Sequence, residues 1–133
     1  MQNLLDLTGK VAIVTGAVGI GEAISLRLAG AGASVVIASL TIEEAEATAQ
    51  KILEQGGAAT AVQTDVSDEE SVKRMVEVAL SKYSHIDILV NNAGIYPNIP
   101  VSKMSLDNFE KVIQVNLRGV FLCTKYVSEE MKK

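Results

Sequence analysis

Three glycines, Gly16, Gly19 and Gly21, stand between the unbroken apolar run Val11-Ala12-Ile13-Val14, closed by Thr15, and a stretch with helical spacing. Glycines there let the backbone turn tightly and let a ligand approach N–H groups that no side chain shields. A buried strand, a glycine loop and a helix N-terminus together make an anion site. Gly16, Ala17, Val18, Gly19, Ile20 and Gly21 are therefore candidate ligand contacts. Two further polar groups close apolar runs: Asp65 with Val66, and Asn91-Asn92-Ala93-Gly94. An Asp just ahead of a helix can be an ordinary cap, but Ser67 is placed to cap, which leaves Asp65 for the ligand side. The two asparagines suit loop hydrogen bonds as well as ligand contact. Asn116 shares the apolar helix face of Phe109 and Val120. An unsatisfied amide there costs about 1–3 kcal/mol, so bonds to backbone carbonyls are its plain reading.

Elements must hold these residues in place. Ile20, Ala23, Ile24, Leu28 and Ala31 recur at the spacing of one helix face, and Gly32 stands where a left-handed terminating residue is expected. Ser34 to Ala38 is a second buried strand, ending at Ser39-Leu40. Thr41 and Glu44 have the spacing of a capping box, and Ile42, Ala45, Ala49, Ile52 and Leu53 form the stripe of a second helix that Gly56-Gly57 ends. A third strand over Ala59 to Thr64 leads to Asp65; Ser67 and Glu70 repeat the capping box before a helix with Val72, Met75, Val76, Ala79, Leu80 and Tyr83 on its face. Ile86 to Val90 reads as a fourth strand. Beyond a loop with Pro97 and Pro100, Ser105 caps a last helix whose face is Phe109, Val112, Ile113, Val120, Cys123, Val127 and Met131.

Strands alternating with helices predict a parallel sheet covered on both faces. Right-handed crossovers carry the first three strands one way and return the fourth beside the first, in the order 3-2-1-4. The switch point falls between Thr15–Gly21 and Asn91–Gly94, where such sheets bind ligands.

Composition narrows the partners. Asp and Glu number 16 against 12 Lys and Arg, with no basic cluster, so nucleic acid is not expected. The 133 residues can bury a core but are short for a complete two-half dinucleotide fold. Cys123, the one cysteine, has no disulfide partner and reads as a small buried hydrophobe, which predicts a reducing, cytoplasmic setting. The N-terminus has neither the basic start nor the apolar core of a signal peptide, and no run of about 18 apolar residues predicts a membrane span. One histidine and one cysteine, far apart, predict no metal site.

Thr15-Gly16 with Gly19-Ile20-Gly21, the Asp65-Val66 pair, Asn91-Asn92-Ala93-Gly94 and Asn116 in VNLRGVF together resemble the short-chain dehydrogenase/reductase family, over the chain from Leu7 onward. The resemblance covers the front half of a typical member. It implies NAD or NADP as cofactor: the glycine loop on the pyrophosphate, Asp65 with Val66 at the adenine, and Asn92, Ala93 and Gly94 supporting the adenosine side. It also matches Asn116 to the asparagine of the catalytic group, although a structural role suits this chain better.

Three departures qualify that likeness. The family's proton donor is a tyrosine with a lysine four residues on, but here Tyr83, Tyr96 and Tyr126 are followed at that spacing by Asp87, Pro100 and Glu130. Hydride transfer then lacks its general acid. Between the first two glycines stand two residues, Ala17 and Val18, in place of the usual three. At the end of strand two, Ser39-Leu40-Thr41 offers neither the acidic residue that takes the ribose hydroxyls of NAD nor the arginine that takes the phosphate of NADP. Ser39 and Leu40 stay candidate cofactor contacts, because a hydroxyl there can still bond a ribose. The compact loop also looks somewhat like that of class I methyltransferases, which makes S-adenosylmethionine an alternative ligand.

The reading is thus a single Rossmann-like three-layer α/β/α half-domain over residues 1–133, truncated after the fourth helix. Its expected function is binding an adenosine-containing cofactor without complete catalysis. A fragment of an NAD(P)-dependent oxidoreductase and a scaffold that binds nothing are the alternatives. An exposed edge of the fourth strand, or the last helix, predicts a homodimer. Ile95 and Tyr96, beside the pocket, are expected to pack the loop.

Overall fold

A computed structural model describes residues 5–133; the first four residues of the expected half-domain lie outside the described residues. Strand β1 (Val11–Thr15) is buried at every position, as a strand with neighbours on both edges and helices on both faces must be. It pairs in parallel with β2 (Ser34–Ser39) on one side and β4 (Ile88–Val90) on the other, and β2 pairs with β3 (Ala58–Gln63). The sheet order is β3-β2-β1-β4. The strand order read from the alternation of elements is the one found.

The pleat sorts the core into two layers. Ile13, Val36, Ala38 and Val62 pack against helix α3 (Glu69–Tyr83) and helix α5 (Gly119–Met131), through Met75, Val76, Cys123 and Val127. Val14, Val35 and Ile37 pack on the opposite face against α1 (Ile20–Gly30) and α2 (Ile42–Glu54), through Ala45, Ala49 and Ile52. Burial pushes the Cys123 thiol up to about 11, so it stays protonated in the core. At the opposite end of the sheet from the glycine loop, Asp87 Oδ2 accepts the Val11 N–H at 2.8 Å and Oδ1 takes Lys10 Nζ at 3.3 Å. The Val11 bond, then the lysine, hold this carboxyl below its usual range. Helices α3 and α5 are braced by the Tyr126 hydroxyl on Glu69, with Lys73 and Lys125 over the tyrosine ring at 5.4 and 5.1 Å.

Local expectations fail in four instructive places. Helix α1 turns only part of its apolar stripe to the sheet: Gly21 and Ser25 are buried, as is Ala31 at its end, Ile24 and Leu28 pack partly against the core, and Ile20 is 72% exposed. Small residues let the helix axis approach the strands, and that contact decides the rotation. Neither capping box forms. Thr41 makes no side-chain cap bond, and the third helix is capped by Asp68, whose Oδ2 accepts from Ser71 N at 2.9 Å, while Glu70 pairs with Lys73. The fourth strand is shorter than the run Ile86–Val90 suggested: it spans Ile88–Val90, with the Asp87 N–H still bonding Val11 O just ahead of it.

The last helix is broken. Helix α4 (Leu106–Ile113), with Ser105 accepting from Asn108 N at 3.1 Å, runs through a π-helical turn at Gln114–Arg118 into α5. The extra residue rotates the faces on either side of the break. Cys123 and Val127 therefore reach the core, while Phe109, Ile113, Leu117, Val120 and Phe121 stay in solvent.

Candidate cofactor site

The carboxyl ends of β1 and β4 diverge at the point where the strand order reverses, and the chain leaves them on opposite sides of a crevice of about 240 Å³. Gly16, Ala17 and Val18 line it from one side, Asn92, Ala93, Gly94 and Ile95 from the other; Ser39, Leu40 and Glu44 close one end, and Thr64, Asp65 and Val66 lie along it. Of the glycine-loop residues expected to touch a ligand, Gly19, Ile20 and Gly21 do not line it. Gly19 instead sits at the N-cap of α1 with φ 59°, and Gly21 is packed beneath the loop.

Thr15 ties the two sides together. Its Oγ1 donates to Val90 O at 3.3 Å and accepts the N–H groups of Asn92 and Ala93 at 3.1 and 3.0 Å, while Asn92 Nδ2 donates to Thr15 O at 2.9 Å. The Asn92 amide occupies the space that side chains at positions 16 and 21 would need: a Cβ on Gly16 would lie 2.6 Å from its Nδ2 and one on Gly21 2.7 Å. Gly16 turns at φ 88° and sends its N–H to Ala38 O at 2.7 Å, so the loop is also pinned to β2. Thr48 on α2 holds it from behind, donating to Ala17 O at 2.8 Å.

Asp65 and Asn116 work on backbone. Asp65 Oδ1 accepts from Ser67 N at 2.9 Å and Ser67 Oγ at 2.6 Å, and its own N–H reaches Ser71 Oγ at 2.9 Å, so the carboxylate shapes the turn while still facing the crevice. Asn116 lies in the π-helical turn, exposed instead of on a buried apolar face. Its Oδ1 accepts from Ile95 N and its Nδ2 donates to Ile95 O, both at 2.8 Å. This two-point grip fixes the loop whose Gly94 and Ile95 line the crevice. Asn116 does not itself line it.

Glu44, Thr64 and Val115 line the crevice without having been singled out by sequence. Glu44 was assigned to a helix cap; its freedom follows from Ser39 Oγ taking the Thr41 N–H at 3.3 Å in place of the glutamate. Thr64 sits at the end of a strand pattern that carries no sign of which way its hydroxyl faces. Among the described residues no group of three His, Cys, Asp or Glu converges as a metal site. No helix of the described residues is long and apolar enough to cross a membrane.

A parallel sheet with order 3-2-1-4, a glycine turn after its first strand and a crevice at the reversal define the cofactor half of a Rossmann-type protein. The chain belongs to the short chain dehydrogenase family, whose profile matches residues 10–133. It is 45% identical over 129 residues to a 3-oxoacyl-[acyl-carrier-protein] reductase of Synechocystis sp., a match covering 96% of this chain and 52% of that protein. An uncharacterized oxidoreductase of Thermotoga maritima is 43% identical, with 96% and 50% covered. Among solved structures, a hydroxysteroid dehydrogenase from Escherichia coli superposes with a TM-score of 0.93 at 35% identity, covering 99% of this chain and 56% of that one. The chain thus spans about half the length of the curated relatives it matches. It is an NAD(P)-binding half of the short-chain dehydrogenase type by family, and the S-adenosylmethionine alternative gains no support from these likenesses.

Proposed function

We propose that this chain binds a nicotinamide dinucleotide in the crevice between Gly16–Val18 and Asn92–Ile95. The observation that carries the reading is a buried hydroxyl without a partner: Thr64 is 3% exposed, lines the crevice, and its Oγ1 makes no hydrogen bond among the described residues. An orphaned buried polar group costs about 1–3 kcal/mol, and a polar ligand atom at that depth would satisfy it. The residues around it fit an adenosine end: an apolar wall of Val66, Ile95 and Val115, with hydroxyls and carboxylates at its margin.

When bound, such a dinucleotide would supply a nicotinamide ring that accepts a hydride in its oxidised form and donates one in its reduced form. This chain's residues would hold it: Gly16–Val18 by unshielded backbone, Asp65 and Val66 along the adenine side, and Asn92–Gly94 in the turn that Thr15 and Asn116 keep rigid. None of its three tyrosines lines the crevice; Tyr83 bonds Thr60 at 2.9 Å, Tyr126 bonds Glu69, and Tyr96 is 88% exposed. Binding without turnover is therefore the activity assigned to the chain by itself. A reducing compartment such as the cytoplasm suits its buried thiol.

Calorimetric titration with NAD, NADP and S-adenosylmethionine tests this. Heat from at least one dinucleotide and none from S-adenosylmethionine is the expected result. Binding of S-adenosylmethionine alone, or of nothing, overturns it.

A homodimer accompanies the proposal. Among the described residues no strand lies beside the outer edge of β4, and Leu117 and Phe121 on the last helical rod are 63% and 61% exposed around an apolar groove with Val120. Light scattering is expected to give twice the chain mass, and the mass of one chain would remove the dimer.

A further inference from the structure

The end of β2 lacks both of the residues that ordinarily choose between the two dinucleotides, yet a carboxylate is present there. Ser39 closes the strand, and Leu40, two-thirds exposed, follows it. Five residues after Ser39, Glu44 projects from the first turn of α2, lines the crevice, and places its Oε2 3.4 Å from Ser39 Oγ. The hydroxyl is oriented for this. Its oxygen accepts the Thr41 N–H at 3.3 Å, which leaves its proton for the glutamate.

We propose that Glu44 selects the cofactor, so that the chain takes the dinucleotide with a free adenosine 2′-hydroxyl, NAD, and rejects the one with a 2′-phosphate, NADP. The proposal rests on the dinucleotide reading of the crevice and adds its specificity.

Two physical effects point the same way. A carboxylate at the end of the second strand accepts a hydrogen bond from a ribose hydroxyl, the part an acidic residue on the strand itself plays in sheets of this kind. Here the helix delivers that group and Ser39 steadies it. Glu44 Oε1 takes no protein donor among the described residues, which leaves acceptor capacity for a ligand hydroxyl. Repulsion supplies the rest. The crevice lining holds two acidic residues, Glu44 and Asp65, and no lysine, arginine or histidine. A phosphate monoester brings a charge of about −1.5 to −2. Set among carboxylates with no cation beside it, that charge is disfavoured, and discrimination by an introduced repulsion is as effective as discrimination by attraction.

The test is calorimetric titration of the full chain with NAD and with NADP, for the wild type, Glu44→Gln and Glu44→Lys. Glu44 is exposed on the helix, so both variants should keep the wild-type circular dichroism spectrum. NAD is expected to bind the wild type at least about tenfold more tightly than NADP, equivalent to about 1.4 kcal/mol. Glu44→Gln should shrink that ratio at least about threefold, and Glu44→Lys should bring NADP to parity or beyond. Equal affinities in the wild type, or a ratio that both substitutions leave unchanged, overturn the role of Glu44 while the dinucleotide reading stands. Failure of all three proteins to bind either dinucleotide overturns that reading and this one with it.

Discussion

Gly21→Ala is expected to unfold or remodel the glycine loop and to abolish dinucleotide binding, whereas Gly30→Ala in the same helix should be neutral or slightly stabilising. A Cβ at position 21 falls inside the contact distance of the Gly16 carbonyl oxygen and 2.7 Å from Asn92 Nδ2. Neither neighbour is a flexible chain end. The carbonyl belongs to a turn pinned by Gly16 N–H to Ala38, and the amide is held by Thr15 O. Relief requires the start of α1 to lift off the strands, taking Ser25 with it. Overpacking of this kind ordinarily costs about 1–3 kcal/mol, and contact with fixed backbone places it at the upper end or above. At position 30 an added Cβ meets nothing within 4 Å, so alanine's helix propensity adds up to about 1 kcal/mol. Urea denaturation of both variants decides the matter. Equal midpoints for Gly21→Ala and wild type would show that the loop has room for a methyl beside the Gly16 carbonyl.

The contrast between those two glycines also marks how far sequence reasoning reaches. Strand identity and order were legible because Val11–Val14 and Val35–Ala38 are unbroken apolar runs, and only a parallel sheet covered on both faces buries such runs. The location of the crevice followed from topology alone. Which face of α1 meets the sheet was not legible. An apolar stripe predicts burial by area, but Gly21 and Ser25 win because close approach to the strands needs small side chains. Capping boxes failed for a different reason. Thr41-x-x-Glu44 and Ser67-x-x-Glu70 have the right spacing, yet competing neighbours close in sequence, Ser39 for one and Lys73 for the other, hold the glutamates elsewhere. Of the two crevice residues on which the functional reading depends most, Glu44 was hidden by this competition, and Thr64 by a strand pattern that does not say which way a hydroxyl faces. Asn116 illustrates the reverse case: its chemistry was foreseen, but a π-helical turn, invisible in any periodic pattern, sets where its amide points.

Thr15→Val is expected to cost about 1–4 kcal/mol, although it preserves the side chain's shape. Thr15 is 1% exposed, and its hydroxyl is the shared partner of Asn92 N–H and Ala93 N–H. Valine fills the same space but leaves the half-buried Ala93 N–H without its acceptor, at about 1–3 kcal/mol, and the Asn92 N–H with Val90 O at 3.1 Å. The donor to Val90 O is lost as well. Thr15→Ser separates the two contributions: it keeps the hydroxyl and removes only a methyl, so its cost should stay near 1 kcal/mol. The functional consequence runs through the same bonds. Asn92 and Ala93 form one wall of the crevice because Thr15 holds their amides against β1, and without it that wall keeps the bond of Asn92 Nδ2 to Thr15 O, the bond of Asn91 Nδ2 to Thr124 and the grip of Asn116 on Ile95. Dinucleotide affinity should accordingly fall at least about tenfold in Thr15→Val, and about threefold or less in Thr15→Ser. If the valine protein melts at the wild-type temperature and binds as tightly, the hydroxyl is no clamp, and the rigidity of the switch point must come from the strand pairing of Val14 with Val90.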